Sequence, residues 1–509
     1  MYKLFLFLAG FINIGLSSAQ TPGSLDESFG GSGYFHSAIG VNYSWTGAME
    51  IQNDGKIIIG GYSVDSLYPH FTLVRYNGDG SFDNSFGENG ISFVQIGLLS
   101  NIRSVICLED GNILASGYTR IDESTYNFIT ANYNSDGSIN SSFGNEGFSN
   151  VNVENSSNIY FGGLQSDGKI VLCGYSGDLN TGISLIRFNN DGSLDTSFGT
   201  DGFSINKFSE SQDVEAWAGA IDSEDRVITT GMIYDAPLLK NNIAVVRFLA
   251  DGSLDSGFGT NGLIITSIDE TDAFGNAVAI QPDNKIIIAA SSQQNAVIIR
   301  YNTDGTLDNS FGTNGLVITD FDTTESEAYA ITIQNDGKII VAGVSGTNAM
   351  NGNGDFAMLR LNTDGSIDST FGEGGKVHTD IAGGNDVAFI AKSQNDGKIV
   401  LSGISFFNDH YNIALARYHG NGTFINDYSP KNNLRLFPNP TEGIFTLEIS
   451  EKDVFPVNIE IRNQFGELTK TFIAKNNKTE INISQMPAGM YFIKVYSKNR
   501  IFNSKLLLK

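Results

Sequence analysis

Residues 75–90 read RYNGDGSFDNSFGENG, and the chain repeats this stretch. Its second half, with consensus Leu-Asp-x-Ser-Phe-Gly-x-x-Gly, first occurs at Leu25 and places its Phe at Phe29, Phe86, Phe143, Phe198, Phe258, Phe311 and Phe371. Successive copies lie 57, 57, 55, 60, 53 and 60 residues apart. A degenerate eighth copy over residues 422–428 ends the series, with Tyr428 in the Phe slot. Periods of this size mark a repeat architecture, in which each unit buries its faces only against its neighbours.

Each interval holds two turn signals. One is IQNDGKIII from Ile51, with relatives at Asp167, Asp283, Asp336 and Asp396; the other is RYNGDGSFD from Arg75, repeated from Arg187 and Arg300. Asp-Gly between apolar runs predicts hairpins, here of type I′, with positive φ at both central residues. Each repeat therefore contains about four short strands. The run Ile57-Ile58-Ile59 does not alternate with polar residues, so such strands are covered on both faces. Four-stranded units stacked face to face predict an all-β, seven-bladed β-propeller, with an open solenoid as the alternative.

Charge accounting tests closure. An Arg stands before the second turn in six copies (Arg75, Arg187, Arg247, Arg300, Arg360, Arg417), and Asn132 takes its place in the other. Eight residues later stand Asp83, Asp195, Asp255, Asp308 and Asp368, but Asn140 follows Asn132. The two positions lose charge together, as members of an ion pair would. Asp26 has no preceding Arg, and Arg417 is followed by Ile425. A closed ring would bring these two leftovers together, with the N-terminal segment completing the last blade.

The LDxSFGxxG and xDGKIxxxG elements together resemble the delta-60 repeat of bacterial secreted proteins, over about four-fifths of the chain. That resemblance implies a propeller-like fold with no assigned catalytic activity. The fourth copy departs from it, with Glu224-Asp225-Arg226 in place of Asp-Gly-Lys.

The two ends read differently. Residues 1–19 resemble a signal peptide: Lys3 precedes an apolar run from Leu4 to Leu16, and small residues lead to cleavage between Ala19 and Gln20. Residues 20–428 are then the propeller, and residues 429–509 a separate domain. From Pro430 onward twelve basic residues face seven acidic ones, so the net charge of −25 belongs to the repeats. Short strands there predict a small Ig-like β-sandwich. Pro438-Asn439-Pro440 with Gly443, then Gly489 and Tyr491 opening a strand, resemble the type A C-terminal sorting domain of the Bacteroidetes type IX secretion system. The resemblance implies handling by that machinery and delivery to the cell surface or the medium. No later run is long and apolar enough for a transmembrane helix.

The acidity argues against nucleic acid as a partner. Five scattered histidines offer no metal-ligand spacing, and no catalytic motif occurs, so neither a metal, a cofactor nor a catalytic residue is expected. Residues 362–368 resemble part of a calcium loop, but Arg360 and Phe371 would occupy ligand positions, and hairpin turns account for the motif better. Cys107 and Cys173 are read as small buried residues, and Trp45 and Trp217 as further non-repeated candidates for a site, with core packing the favoured role for each. The repeated residues maintain the scaffold, so a binding site belongs where copies differ. The variable connections are Tyr62 to Phe71, Tyr118 to Asn127, Tyr175 to Ser184, Met232 to Asn242 and Val344 to Asp355, and they should line one face, suited to a glycan or protein ligand. The expectation is a secreted or surface-displayed propeller acting as a non-catalytic binding module. The alternatives are a polysaccharide-active lyase or glycosidase and a structural surface-layer component.

Overall fold

The computed structural model describes residues 21–40, 43–64, 68–122, 125–153, 157–177, 181–208, 213–323, 325–347, 352–420, 434–437, 441, 443–449, 456–463, 468–487, 489–497 and 500–508. Ala19, Gln20, Pro438, Asn439, Pro440 and the expected boundary at residues 428/429 lie outside them. The chain divides into two compact units, Met1–Gly422 and Thr423–Lys509. Among the described residues no helix is long and apolar enough to cross a membrane.

The first unit is a seven-bladed β-propeller: among the described residues it holds seven four-stranded antiparallel sheets. Blade 1 is built from Ser44–Ile51, Ile57–Val64, Pro69–Tyr76 and Ile91–Val94, running from the inside outward, and blades 2 to 6 follow the same order. The innermost strands touch one another in series, and that of blade 7, Asp386–Ser393, returns to that of blade 1. Packed between two neighbours, the second and third strands are apolar on both sides: Ile57, Ile58 and Ile59 are all fully buried.

Blade 7 draws its outer strand from the other end of the chain. Tyr34–Ser37 pairs with His410–Tyr418, with Tyr34 opposite Ala416. Ahead of that strand, Pro22-Gly23-Ser24-Leu25-Asp26 occupies the place that Asp-Gly-Ser-Leu-Asp holds elsewhere: Gly372 N donates to Pro22 O at 2.9 Å, as Gly312 N does to Asp364 O. The structure brings Asp26 and Arg417 together, Arg417 Nε donating to Asp26 Oδ2 at 2.8 Å.

This contact is one of six equivalent clusters. In blade 1, Arg75 Nε donates to Asp83 Oδ2 at 2.8 Å, its guanidinium lies 4.5 Å over the Phe86 ring, and its NH1 reaches Ser135 O of blade 2 at 2.6 Å. Arg187, Arg247, Arg300 and Arg360 repeat the arrangement over Phe198, Phe258, Phe311 and Phe371, and Arg417 over Phe29. The Lys of the first turn joins in five of the clusters, for example Lys56 on Asp83 at 3.0 Å and Lys398 on Asp26 at 3.0 Å. In blade 2 the same places hold Asn112, Asn132 and Asn140, and Asn140 donates to Asn132 at 3.3 Å. Phe143-Gly144 still joins the next blade there, through Gly144 N to Asp191 O at 2.7 Å.

The turns differ from the type I′ expectation. Gly55 N donates to Gln52 O, Asp54 Oδ1 accepts Lys56 N–H at 3.1 Å, and only Gly55 has positive φ, at 86°. This is a type I turn closed by a left-handed residue, because the Asp carboxylate holds its own backbone right-handed. Where Gly is missing, Asp225 and Asn284 take the left-handed position at 62° and 63°.

The second unit packs a three-stranded sheet against a four-stranded one, around Phe445, Leu447, Ile459, Ile481, Ile493 and Leu506. It is the small β-sandwich expected from the strand pattern.

Burial disfavours the charged form of Asp26, but hydrogen bonds from Ser28 and Lys398 and the charge of Arg417 outweigh it and hold the carboxyl well below the usual range. Asp83, Asp195, Asp308 and Asp368 are lowered in the same way. A lowered folded value means that the stabilisation is complete above the unfolded carboxylate value, about pH 4, and is lost as pH falls from there. Denaturant titrations should therefore give a stability that falls steeply below about pH 4. Asp26→Asn should cost about 3 kcal/mol at neutral pH, by stranding the buried Arg417, and should shallow that acid slope. An unchanged midpoint for Asp26→Asn would contradict the closure contact.

Candidate functional site

The two ends of the propeller differ in composition. One carries the turns and Arg clusters just described; the other carries the connections between second and third strands, together with the starts of the innermost strands, since Ser44 pairs with Ser63 and Val64 with Pro69. This second end holds the variable connections.

Every innermost strand has a bulge at one equivalent place. The extra residues are Gly47, Arg103, Tyr160, Trp217, Asn276, Tyr329 and Phe389, one per blade. The cause lies one strand further out. A Cβ on Gly61 would fall against the Trp45 carbonyl oxygen, and on Gly117, Gly174, Gly231, Gly343 and Gly403 against the carbonyl of the matching residue. The last Gly of the xDGKIxxxG element thus makes room for the displaced carbonyl of the bulge. In blade 5 the Gly sits on the innermost strand instead, as Gly275 opposite Ala290.

The bulge residues are half-buried on the innermost strands, and Arg103 and the four aromatic ones join neighbouring rings in three groups that make up an aromatic collar. Trp45 stacks on Phe389 at 5.1 Å and lies parallel to Tyr62 at 6.5 Å, and Phe389 in turn meets Tyr329 at 5.5 Å. Arg103 lies over the rings of Tyr160 at 5.1 Å and Tyr118 at 5.9 Å, while Tyr160 stacks on Tyr175 at 6.0 Å. Trp217 stacks on Phe274 at 5.5 Å. Trp45 and Trp217 thus belong to the collar, and Trp45 also packs against the buried Val344, Val387 and Ile404, as its favoured core role expects. Tyr62, Tyr118 and Tyr175 open three of the variable connections and stand opposite Trp45, Asn101 and Asn158.

Two carboxylates belong to the collar. Glu215 accepts Trp217 Nε1–H at 2.8 Å, and burial, opposed by that hydrogen bond, raises its carboxyl. Glu327 accepts the Tyr329 hydroxyl at 2.5 Å. Burial pushes the Tyr62 phenol up to about 12 and also raises Tyr160, Tyr175 and Tyr329. These phenols therefore keep their protons at neutral pH and offer hydroxyl donors.

The other residues singled out by the sequence have local structural roles. The seven repeated Phe are buried under the Arg clusters or, for Phe143, beside Asn132 and Asn140 in blade 2. Cys107 and Cys173 are free, and burial raises the Cys107 thiol to about 12. In residues 362–368, Asp364 accepts Ser366 and Asp368 binds Arg360 and Lys338, so both carboxylates have partners within the protein. In the tail, Gly443 has φ of 122° and a Cβ there would meet Ser484, while buried Tyr491 donates its hydroxyl to Pro487 O at 2.7 Å. Gly489 opens the strand Gly489–Ser497, opposite Leu508.

Comparison with known proteins bears on both units. Residues 52–86, 165–198, 240–258, 281–311, 334–371 and 394–424 match the family described as a domain of unknown function (DUF5122) beta-propeller. The stretch passed over between 86 and 165 contains the uncharged cluster of blade 2. Residues 435–509 match the secretion system C-terminal sorting domain. No curated protein matches the chain. Among solved structures, a PL25 ulvan lyase is 11% identical with a TM-score of 0.44, over 76% of this chain and 96% of its own. The virginiamycin B lyase of Staphylococcus aureus is 12% identical with a TM-score of 0.44, over 75% and 98%. PorZ of Porphyromonas gingivalis, a surface component of the type-IX secretion system, is 9% identical with a TM-score of 0.29, over 91% and 74%. None of these likenesses carries an inference about activity.

The bulge has a direct test. Gly→Ala in a strand ordinarily stabilises, yet Gly231→Ala should cost roughly 1–3 kcal/mol by overpacking and should shift the emission of Trp217. An unchanged melting temperature and spectrum would contradict the bulge geometry.

Six segments of the first unit thus match the DUF5122 β-propeller family and residues 435–509 match the secretion-system C-terminal sorting domain, which indicates export to the outer surface or the extracellular space.

Proposed function

We propose that this exported propeller is a non-catalytic module that binds a glycan across the collar, and that residues 1–19 are a signal peptide removed on export. The carrying observation is the contrast between the two ends. The Arg clusters repeat almost unchanged, while the seven bulge positions hold seven side chains chosen without regard to the repeat: Gly, Arg, Tyr, Trp, Asn, Tyr and Phe. A scaffold needs no such variation, and a binding surface does.

Half-buried aromatic faces beside Asn101, Asn158, Asn276, Glu215 and Glu327 offer what a sugar ring needs, an apolar platform with hydrogen-bonding groups at its edge. Two carboxylates in the collar and a net charge of −25 favour a neutral glycan over a polyanion. The competing reading, an enzyme acting on polysaccharide, draws on Arg103 beside the phenols of Tyr118 and Tyr160. Against it, Glu215 and Glu327, the carboxylates of the collar, are each engaged by the aromatic side chain two residues on.

Trp45 and Trp217 are the only tryptophans in the chain, so a ligand in the collar should change its intrinsic fluorescence. A neutral oligosaccharide panel read by emission and calorimetry should give saturable binding. Trp45→Ala and Trp217→Ala should each weaken it by roughly tenfold or more, while Phe93→Ser on an outer strand leaves it unchanged. Binding that survives both Trp variants would overturn the collar assignment, and release of shortened products would favour the enzyme.

A further inference from the structure

Nearly every buried carboxylate of the propeller has a cation against it. Asp26, Asp83, Asp195, Asp308 and Asp368 each hold an Arg and a Lys, and Asp222 holds Arg226 at 2.7 Å. Among the described residues Asp386 is the exception. It is 0% exposed and begins the innermost strand of blade 7, where blade 6 has Ser326.

Ser326 Oγ accepts the Phe321 N–H at 2.9 Å. Asp386 does the same local task with one oxygen, Oδ2 accepting Ile381 N–H at 2.7 Å and Ala382 N–H at 3.3 Å. The second oxygen, Oδ1, is buried without a hydrogen-bond partner. Ser405, opposite Asp386 in register and also 0% exposed, turns its hydroxyl toward the same carboxylate without forming a well-aligned hydrogen bond.

Two further carboxylates converge on this point. Asp355, on the third strand of blade 6, is half-buried, and Asp380 stands exposed in the connection between the blades. One oxygen from each of Asp355, Asp380 and Asp386 lies within 4.8 Å of the others. Burial first, and the neighbouring carboxylates second, hold Asp355 above the ordinary carboxylate value, with exposed His378 opposing. Burial likewise raises Asp386, opposed by the nearby Ser405 hydroxyl and the two backbone amides. Among the described residues no Lys or Arg pairs with any of the three.

We infer that Asp355, Asp380, Asp386 and Ser405 form a calcium site that ties blade 6 to blade 7. The ligand set is all oxygen, which suits a hard cation and not zinc. A calcium–oxygen distance of about 2.4 Å lets one ion touch oxygens up to about 4.8 Å apart, whereas magnesium at about 2.1 Å requires a tighter set. The exposed side at Asp380 leaves room for water ligands. The ion would fix the start of the strand that carries Phe389, three residues beyond Asp386, and so one wall of the collar. The site does not depend on the glycan reading.

The test uses the full chain, freed of metal by chelator and dialysis. Calorimetry with calcium chloride should give one ion per chain and raise the melting temperature by roughly 3–5 °C, with magnesium at least tenfold weaker. Asp386→Asn keeps an oxygen for the Ile381 N–H, and Asp355→Asn changes a half-buried group, so both should fold and melt near the metal-free wild type while losing the calcium response. Absence of heat and of any shift at millimolar calcium would overturn the site, as would a full response in both variants. The site is overturned equally if Asp386→Asn is more stable than a calcium-insensitive wild type, because the carboxyl would then be held by a proton.

Discussion

Six of the seven blades are fastened to the next by one guanidinium, and blade 2, with Asn132 in its place, by the Phe143-Gly144 backbone. The guanidinium Nε binds the Asp eight residues on, its plane covers the Phe of the Phe-Gly pair, and its NH1 reaches a carbonyl of the following blade. An Arg is suited to this because its rigid fork can serve three directions at once, which a Lys ammonium cannot. The first-turn Lys supplies charge to the same Asp from the other side. Much of the acidity of the chain resides here and in the Asp-Gly-Ser turns, where carboxylates such as Asp79 accept a Ser N–H and hydroxyl two residues away. The charge is thus a consequence of how the blades are built and joined.

Fixing one end of every blade leaves the other free to vary. The Gly of the second strand admits a displaced carbonyl, the bulge follows, and the extra residue stands half-buried on the innermost strand whatever its side chain. Gly47 and Trp217 occupy the same backbone position with opposite consequences for shape. A repeat that conserves its turns and its Gly can therefore change its collar one blade at a time without disturbing the joints between blades.

The fold is largely legible in the sequence because the features that build it repeat. The Arg–Asp spacing leaves Asp26 and Arg417 unmatched, and the charges alone point to where the ring closes. The turn type is not legible in the same way: Asp-Gly suggests two left-handed residues, whereas the Asp side chain caps its own turn and leaves only Gly55 or Asn284 in that conformation. Pro22-Gly23 escapes recognition as the missing seventh turn, since Pro22 hides the Asp-Gly signature. The bulge positions escape it too, although Trp217 and the connections opened by Tyr62, Tyr118 and Tyr175 stand out as candidates, because the seven residues have nothing in common as types. They share only an offset: each stands eight positions before the left-handed turn residue, as Gly47 before Gly55, Trp217 before Asp225 and Phe389 before Gly397. Asp386 is equally invisible, because its meaning comes from Asp355 and Ser405 on other strands.

Closure of the ring by the N-terminal segment is the claim on which the rest depends, and native-state hydrogen exchange on the full chain tests it most directly. In a closed ring the amides of Tyr34–Ser37 and of the third strand of blade 7 are protected to the same degree as those of blades 3 to 5. Progressive fraying, with blades 1 and 7 exchanging well ahead of the middle blades, would mean an open stack of repeats and would contradict the account.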